Sequence, residues 1–199
     1  MSEVRHATPA DVRALTRTFA RAFADDPVFS WLYPDEATRY DGLAALFTVA
    51  LQAGLRRGHT YTAADGRGGS VWSPPGIELL DERGGQRLLA AMSEHIGADA
   101  PARIETMLTM QAMHPHDPPS FYLFSTAVDP DAQGRGLGAA LLREVLDVCD
   151  RQRFPAYLES SSPRNQTLYE RHGFEPIEAY TFPDGPVATA MWREPRTRR

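Results

Sequence analysis

Residues 121–138 read FYLFSTAVDPDAQGRGLG, an apolar run that ends in three glycines within five positions. Leu137, Leu141, Val145, Val148 and Cys149 then recur at helical spacing. A buried strand, a glycine-rich turn and a helix in that order leave a chain few folds to choose from. Glycines let the backbone turn tightly and aim several N–H groups one way. The first amides of the helix lack internal acceptors, and the helix dipole adds about half a positive charge there. The turn Gln133, Gly134, Arg135, Gly136, Leu137, Gly138 and Ala139 is therefore a cradle for a diphosphate, and it needs no lysine.

Two ligand classes use such a turn. Gly134, Gly136 and Ala139 match the dinucleotide pattern G-x-G-x-x-G/A, with Glu159 placed as a ribose-binding acid, which would make the chain an NAD(P)-dependent oxidoreductase. Gln133, Gly136 and Gly138 match the rival pattern Gln/Arg-x-x-Gly-x-Gly/Ala. Position separates them. Only 40 residues follow Glu159, reading as one short helix and a hairpin, too few for the further strand–helix units of a dinucleotide fold.

Composition removes other chemistries. All 21 basic residues are arginine, which excludes phosphate-loop hydrolysis, kinase-type transfer and Schiff-base catalysis. The single cysteine, Cys149, excludes an internal disulfide framework and a thiolate zinc cluster. A net charge of −5 argues against a general nucleic-acid or anionic-membrane binder. The start MSEVRHATPADV lacks the apolar core of a signal peptide, and no apolar run approaches 18 residues, so a cytoplasmic protein is expected. Arg193, Arg196, Arg198 and Arg199 are expected to form a solvated basic tail.

The periodicity predicts one α/β domain over residues 1–199. A strand at 3–7 precedes a helix with Thr8 as cap, Pro9 in its first turn and Asp11 accepting exposed amides. Asp26-Pro27 interrupts, and Pro34-Asp35 starts a second helix that Gly58 ends. Residues 59–64 and 69–73 form a hairpin, 77–113 two helices, and the proline-rich 113–120 no regular structure. Residues 121–128 are expected to be a strand buried on both faces. After the helix from Gly136 come a strand at 156–160, a short helix at 164–172, and a hairpin of 174–182 with 186–193.

On three stretches the sequence resembles the GCN5-related N-acetyltransferase (GNAT) superfamily: VRHATPADV, STAVDPDAQGRGLGAALL and RNQTLYERHGF. Within it, ARAFADDPVFSW, SVWSPPG, HPHDPPSFYL and PAYLESSSPRNQTLYERHGF are most similar to puromycin N-acetyltransferase-like members. The resemblance implies a mixed, V-splayed sheet flanked by helices, with acetyl-CoA in the splay and no metal. The backbone of Ala127 and Val128 would pair with the pantetheine arm, residues 134–139 would hold the pyrophosphate, Asn165 would hydrogen-bond the cofactor, and Tyr169 would lie beside its sulfur. Asn165 and Tyr169 are four apart and share a helix face.

Acetyl transfer to an amine by direct attack needs a neutral nitrogen, a polarised thioester and a proton for the departing thiolate. Tyr169 is the candidate acid, since a phenol of pKa about 10 can protonate a thiolate held beside it. Strand 121–128 carries no carboxylate, so Glu159 is the candidate base, with pairing to Arg164 as its structural alternative. Asp25 and Asp26 are placed to attract a cationic amine, and Trp31, Tyr33 and Trp72 to stack on its body; the alternatives are a helix cap for Asp26 and the core for the aromatics. His114, with His116, flanks the acceptor side. Cys149, in register with Leu141 and Val145, reads as a buried, inert thiol. A small-molecule primary amine is the expected acceptor, and a homodimer is kept open. An acyl-CoA sensor without turnover is the alternative from another class.

Overall fold

The computed structural model describes residues 3–196. The strands are β1 (Val4–His6), β2 (Thr60–Ala63), β3 (Gly68–Ser73), β4 (Phe121–Val128), β5 (Ala156–Ser160), β6 (Glu175–Thr181) and β7 (Val187–Arg193). The helices are α1 (Val12–Ala22), α2 (Pro27–Leu32), α3 (Glu36–Arg57), α4 (Glu82–Ile96), α5 (Ala100–Ala112), α6 (Leu137–Gln152) and α7 (Pro163–Arg171). Among the described residues, no helix is long and apolar enough to cross a membrane.

Local chemistry starts most of these helices. Asp11 Oδ2 accepts the Thr8 N–H at 2.8 Å, closing the turn that leads into α1. Asp35 caps α3 through the Ala37 N–H, and Gly58, at φ +81°, ends it. The short α2 has no helical periodicity to announce it. It exists because Asp26 Oδ1 accepts from Val28 and Phe29 at 3.0 and 3.3 Å and Pro27 fills its first turn.

One seven-stranded sheet runs in the order β1-β2-β3-β4-β5-β7-β6. All neighbours are antiparallel except β4 and β5. These two pair in parallel only at Phe121–Ala156 and Tyr122–Tyr157, so beyond Tyr122 they part. This is the splay that the family resemblance implies. It is not the continuous parallel sheet of a dinucleotide fold.

A bulge accompanies the opening. Trp72 pairs with Leu123 but Val71 pairs with Ser125, leaving Phe124 as the extra residue on β4. The bulge reverses which face each side chain meets. Phe121 and Leu123 pack in one core with Trp72, Leu141, Val145, Cys149 and Phe174 beneath α6. Ala127 packs in the other, with Leu15, Phe19, Phe47 and Val71 beneath α1 and α3. Both faces of β4 are covered as expected, but its alternate residues are only half buried. The close approach of α3 to the sheet requires Gly54, where a Cβ would lie 2.7 Å from Val71 Cγ1.

The basic-tail expectation fails at its first residue. Arg193 is a buried β7 residue that grips Asp150 through both terminal nitrogens at 2.8 and 2.9 Å. The Arg196 N–H donates to the same carboxylate at 2.7 Å. Arg198 and Arg199 lie outside the described residues.

Candidate active site

Where β4 and β5 part, the structure forms a cleft of about 810 Å³, partly open to solvent. Ser125 and Thr126 reach it from β4, Glu159 from β5, Ser161 from the loop that follows, and Asn165 and Tyr169 from α7. Ser162 caps α7 through the Asn165 N–H, fixing the rotation that turns Asn165 and Tyr169 to the same side. The rest of the wall is mainly apolar, from the end of α1, from α2 to α5 and from the loop after β3, with Glu78, Gln111, His114 and His116 as polar members.

Tyr169 is 7% exposed, its ring set edge-on to Phe174 at 6.0 Å. Burial, and then the charge of Asp26, hold its phenol above the ordinary tyrosine range, so it stays protonated at neutral pH. Asp26 caps α2 and accepts a hydrogen bond from the Ser161 hydroxyl, tying α2 to the β5–α7 loop. Its own carboxyl is raised by burial, against the opposing pull of these hydrogen bonds.

Glu159 lies at the centre of a cluster the sequence did not reveal. His114 Nε2 lies 2.5 Å from Glu159 Oε1, within ion-pair distance. The His114 ring sits 4.6 Å from Tyr122 and 5.3 Å from Tyr157, and the two tyrosines are 5.9 Å apart. Burial first, and then the Glu159 carboxylate, raise both phenols above their ordinary value. Tyr122 and Tyr157 escaped sequence reading because strand tyrosines look like core until the splay exposes one of their faces. Arg164, the structural alternative for Glu159, instead donates to Gln133 Oε1 at 3.3 Å.

Other expected acceptor residues lie elsewhere. Asp25 is exposed and lines no part of the cavity. Trp72 and Tyr33 are fully buried core residues. Trp31 packs edge-on against Phe182 at 4.9 Å and donates to the Pro183 carbonyl at 3.0 Å, with Arg103 over its ring at 4.9 Å. Large aromatics served the packing because each had a covered face to fill. Cys149 lies in the core with its thiol pushed up to about 12 by burial.

The glycine turn stands outside this cleft, on the surface. Gly134, Arg135 and Gly136 are exposed, while Leu137 anchors the helix in the core. Gly134 and Gly136 hold φ of +76° and +78°, with open space where a Cβ would stand. The first bond within α6 is from the Ala140 N–H to the Gly136 carbonyl at 3.0 Å, which leaves Leu137, Gly138 and Ala139 without intrahelical acceptors. Gln133 departs from expectation. Its backbone N–H reaches the Pro130 carbonyl at 3.4 Å, and its side chain donates to the Val128 carbonyl at 3.2 Å. Together with Arg164 it links the end of β4 to α7. Arg21 braces the same turn, reaching Asp129 at 2.8 Å and Asp131 at 3.0 Å.

Residues 104–176 match the acetyltransferase (GNAT) domain family. The structure superposes on that of a Corynebacterium glutamicum protein solved as histone acetyltransferase HPA2 and related acetyltransferase, with a TM-score of 0.73 and 27% identity over 99% of this chain and 98% of that one. It shares its fold with arylalkylamine N-acetyltransferase 2 of Aedes aegypti, at a TM-score of 0.65 and 14% identity over 97% and 98% of the two chains. In sequence it is 27% identical over 174 residues to an uncharacterized N-acetyltransferase of Schizosaccharomyces pombe, covering 82% of this chain and 70% of the yeast protein. A stretch of 61 residues is 41% identical to mycothiol acetyltransferase of Beutenbergia cavernae, covering 29% of this chain and 20% of that protein. The chain is an acetyltransferase enzyme with the GNAT fold.

Proposed function

We propose that this acetyltransferase moves an acetyl group from acetyl-CoA to a primary amine of a small molecule, directly and without a covalent enzyme intermediate. One observation carries the reading. β4 and β5 separate after Tyr122, and polar groups from both sides of the gap converge on one cleft.

The residues present fit acetyl-CoA. Amides without acceptors at the start of α6, beside two glycines with open space around them, suit its diphosphate. The amides of Gly134, Arg135, Gly136, Leu137, Gly138 and Ala139 would hold that group, the backbone of Ala127 and Val128 the pantetheine arm, and Asn165 would hydrogen-bond the cofactor. When bound, acetyl-CoA supplies the activated acetyl carbon and a thiolate leaving group.

The chain's own side chains do the rest. Glu159 receives the proton that the attacking nitrogen releases. Tyr169 gives its phenolic proton to the departing sulfur, a role that requires a phenol protonated at neutral pH. The apolar wall keeps water from competing with the amine. Holding two reactants in such a site supplies about 7–11 kcal/mol of a bimolecular barrier, more than either proton transfer. Cys149 is not the nucleophile, being buried in the core and weakly acidic.

The likeness to puromycin N-acetyltransferase-like members supports a bulky small-molecule acceptor. The same reading places the enzyme in the cytoplasm, where acetyl-CoA is available. Calorimetry with acetyl-CoA and with NADH, followed by thiol-release assays against an amine panel, tests the proposal. Acetyl-CoA binding with amine-dependent thiol release is the expected result. NADH binding alone would favour the dinucleotide reading, and acetyl-CoA binding without turnover on the panel would leave the acyl-CoA sensor standing without proving it.

A further inference from the structure

We infer that His114 is a catalytic residue of this site: its imidazole takes the proton from the attacking amine and passes it on to Glu159. The inference rests on the acetyl-transfer reading and adds the group that stands between the acceptor and the carboxylate.

Glu159 already has partners of its own. His114 Nε2 lies 2.5 Å from Oε1, and the Tyr122 and Tyr157 hydroxyls bond the same carboxylate. A carboxylate offers about four acceptor positions, so protein groups take most of them. Oε1 and Nε2 are both shielded from solvent, and the Glu159 side chain is only 9% exposed. His114 lines the same cleft, is 14% exposed at its side chain, and has a second ring nitrogen to offer.

The fold holds the ring in place. His114 follows α5, its backbone N–H donating to the Gln111 carbonyl at 3.2 Å. Its ring sits 4.6 Å from Tyr122 and 5.3 Å from Tyr157, the last pair that β4 and β5 form before they part. The pair of His114 and Glu159 therefore stands at the apex of the gap. The other titratable groups around it are Tyr122 and Tyr157, then Glu78, His116 and Tyr169 on the cleft wall, with Glu178 and Tyr180 of β6 behind Tyr157.

A neutral imidazole donates from one nitrogen and accepts at the other, and the bond made by the first decides which. With Nε2–H turned to Oε1, the lone pair is on Nδ1. As the amine nitrogen bonds to the acetyl carbon it gives a proton to Nδ1, while the Nε2 proton crosses to Oε1. The imidazole stays neutral and the carboxylate becomes a carboxyl. Water in the open part of the cleft then removes the Nδ1 proton, the carboxyl returns its own to Nε2, and Tyr169 recovers from solvent the proton it gave the sulfur.

The test is steady-state thiol release with an acceptor amine on wild type, His114→Gln, Glu159→Gln and the double variant from pH 6 to 10, with melting curves on the same samples. Glutamine keeps a donor for Glu159 but takes no proton. His114→Gln should lower kcat at neutral pH by about 10²- to 10⁴-fold, with KM for acetyl-CoA and the melting temperature unchanged. The deficit should shrink at high pH, as hydroxide replaces the missing base, which a packing defect would not do. Glu159→Gln should lose rate as well, and the double variant no more than His114→Gln alone, because the pair acts as a unit. His114→Ala, which leaves room for a free imidazole, should regain part of its rate when imidazole is added, measured as acetylated amine. Wild-type kcat in His114→Gln, a deficit constant across pH, losses that multiply in the double variant, or no rescue of His114→Ala overturns the inference. The two readings fail distinguishably. Amine acetylation that ignores His114 refutes this one alone, whereas a wild type that acetylates no amine refutes acetyl transfer and takes the relay with it.

Discussion

Replacing Tyr169 by phenylalanine removes one oxygen atom and keeps the ring. The ring carries the residue's packing, being 7% exposed and edge-on to Phe174 at 6.0 Å, and phenylalanine preserves both features. No protein group hydrogen-bonds the hydroxyl among the described residues, so no buried partner is stranded by its loss. The change in folding stability should therefore stay within about 1 kcal/mol, a Tm shift of roughly 2–4 °C for a chain of this size. Turnover should fall about 10²- to 10⁴-fold, the usual contribution of a positioned proton donor. Because burial and Asp26 hold the phenol above its ordinary value, the wild-type rate should show no decline assignable to Tyr169 as pH rises to about 10. The assay is steady-state thiol release on wild type and Tyr169→Phe from pH 6 to 10, with melting curves on the same samples. Lower kcat with KM for acetyl-CoA unchanged supports the acid role. Turnover at the wild-type rate would refute it, and a melting temperature that collapses with the rate would assign Tyr169 to packing.

Gly136→Ala forces a residue with a Cβ into φ +78°, where no atom clashes but the conformation itself costs about 1–2 kcal/mol. Urea denaturation should show that loss, with a weaker affinity for acetyl-CoA. Asp11→Asn should destabilise by about 1 kcal/mol at pH 7, through the lost bonds to Thr8 and Arg5. The hydrogen-bonded Arg5 guanidinium holds the Asp11 carboxyl well below its usual range, so its stabilisation is present above pH about 4 and is lost on further acidification. The difference between wild type and Asp11→Asn should accordingly shrink in melts taken toward pH 2. Cys149→Ala should retain full turnover, and in the native wild type a thiol reagent at pH 8 should label Cys149 only as the chain unfolds.

The strand–turn–helix at residues 121–152 was legible in the sequence because its causes are local. Three glycines, a helical repeat and an apolar run act within one stretch of chain, and the two αL glycines stand where the turn needs them. The helix starts at Thr8–Asp11 and at Pro34-Asp35 were legible for the same reason, since Asp11 reaches back only three residues to Thr8 and Asp35 only two ahead to Ala37. Asn165 and Tyr169 could be placed on one face because a helix fixes the spacing of its own side chains.

What the tertiary structure alone decided joins residues distant in sequence. That β4 and β5 pair at two positions and then part depends on the whole sheet, and it turns Tyr122, Tyr157 and Glu159 from strand residues into cavity wall. His114 reaches Glu159 across a separation of 45, and Asp26 reaches Ser161 across a separation of 135. Trp31, Tyr33 and Trp72 share their chemistry with the tyrosines of the site, yet became packing. An aromatic side chain serves a core or a ligand equally well, and which it meets is set by the face left uncovered once every element has docked.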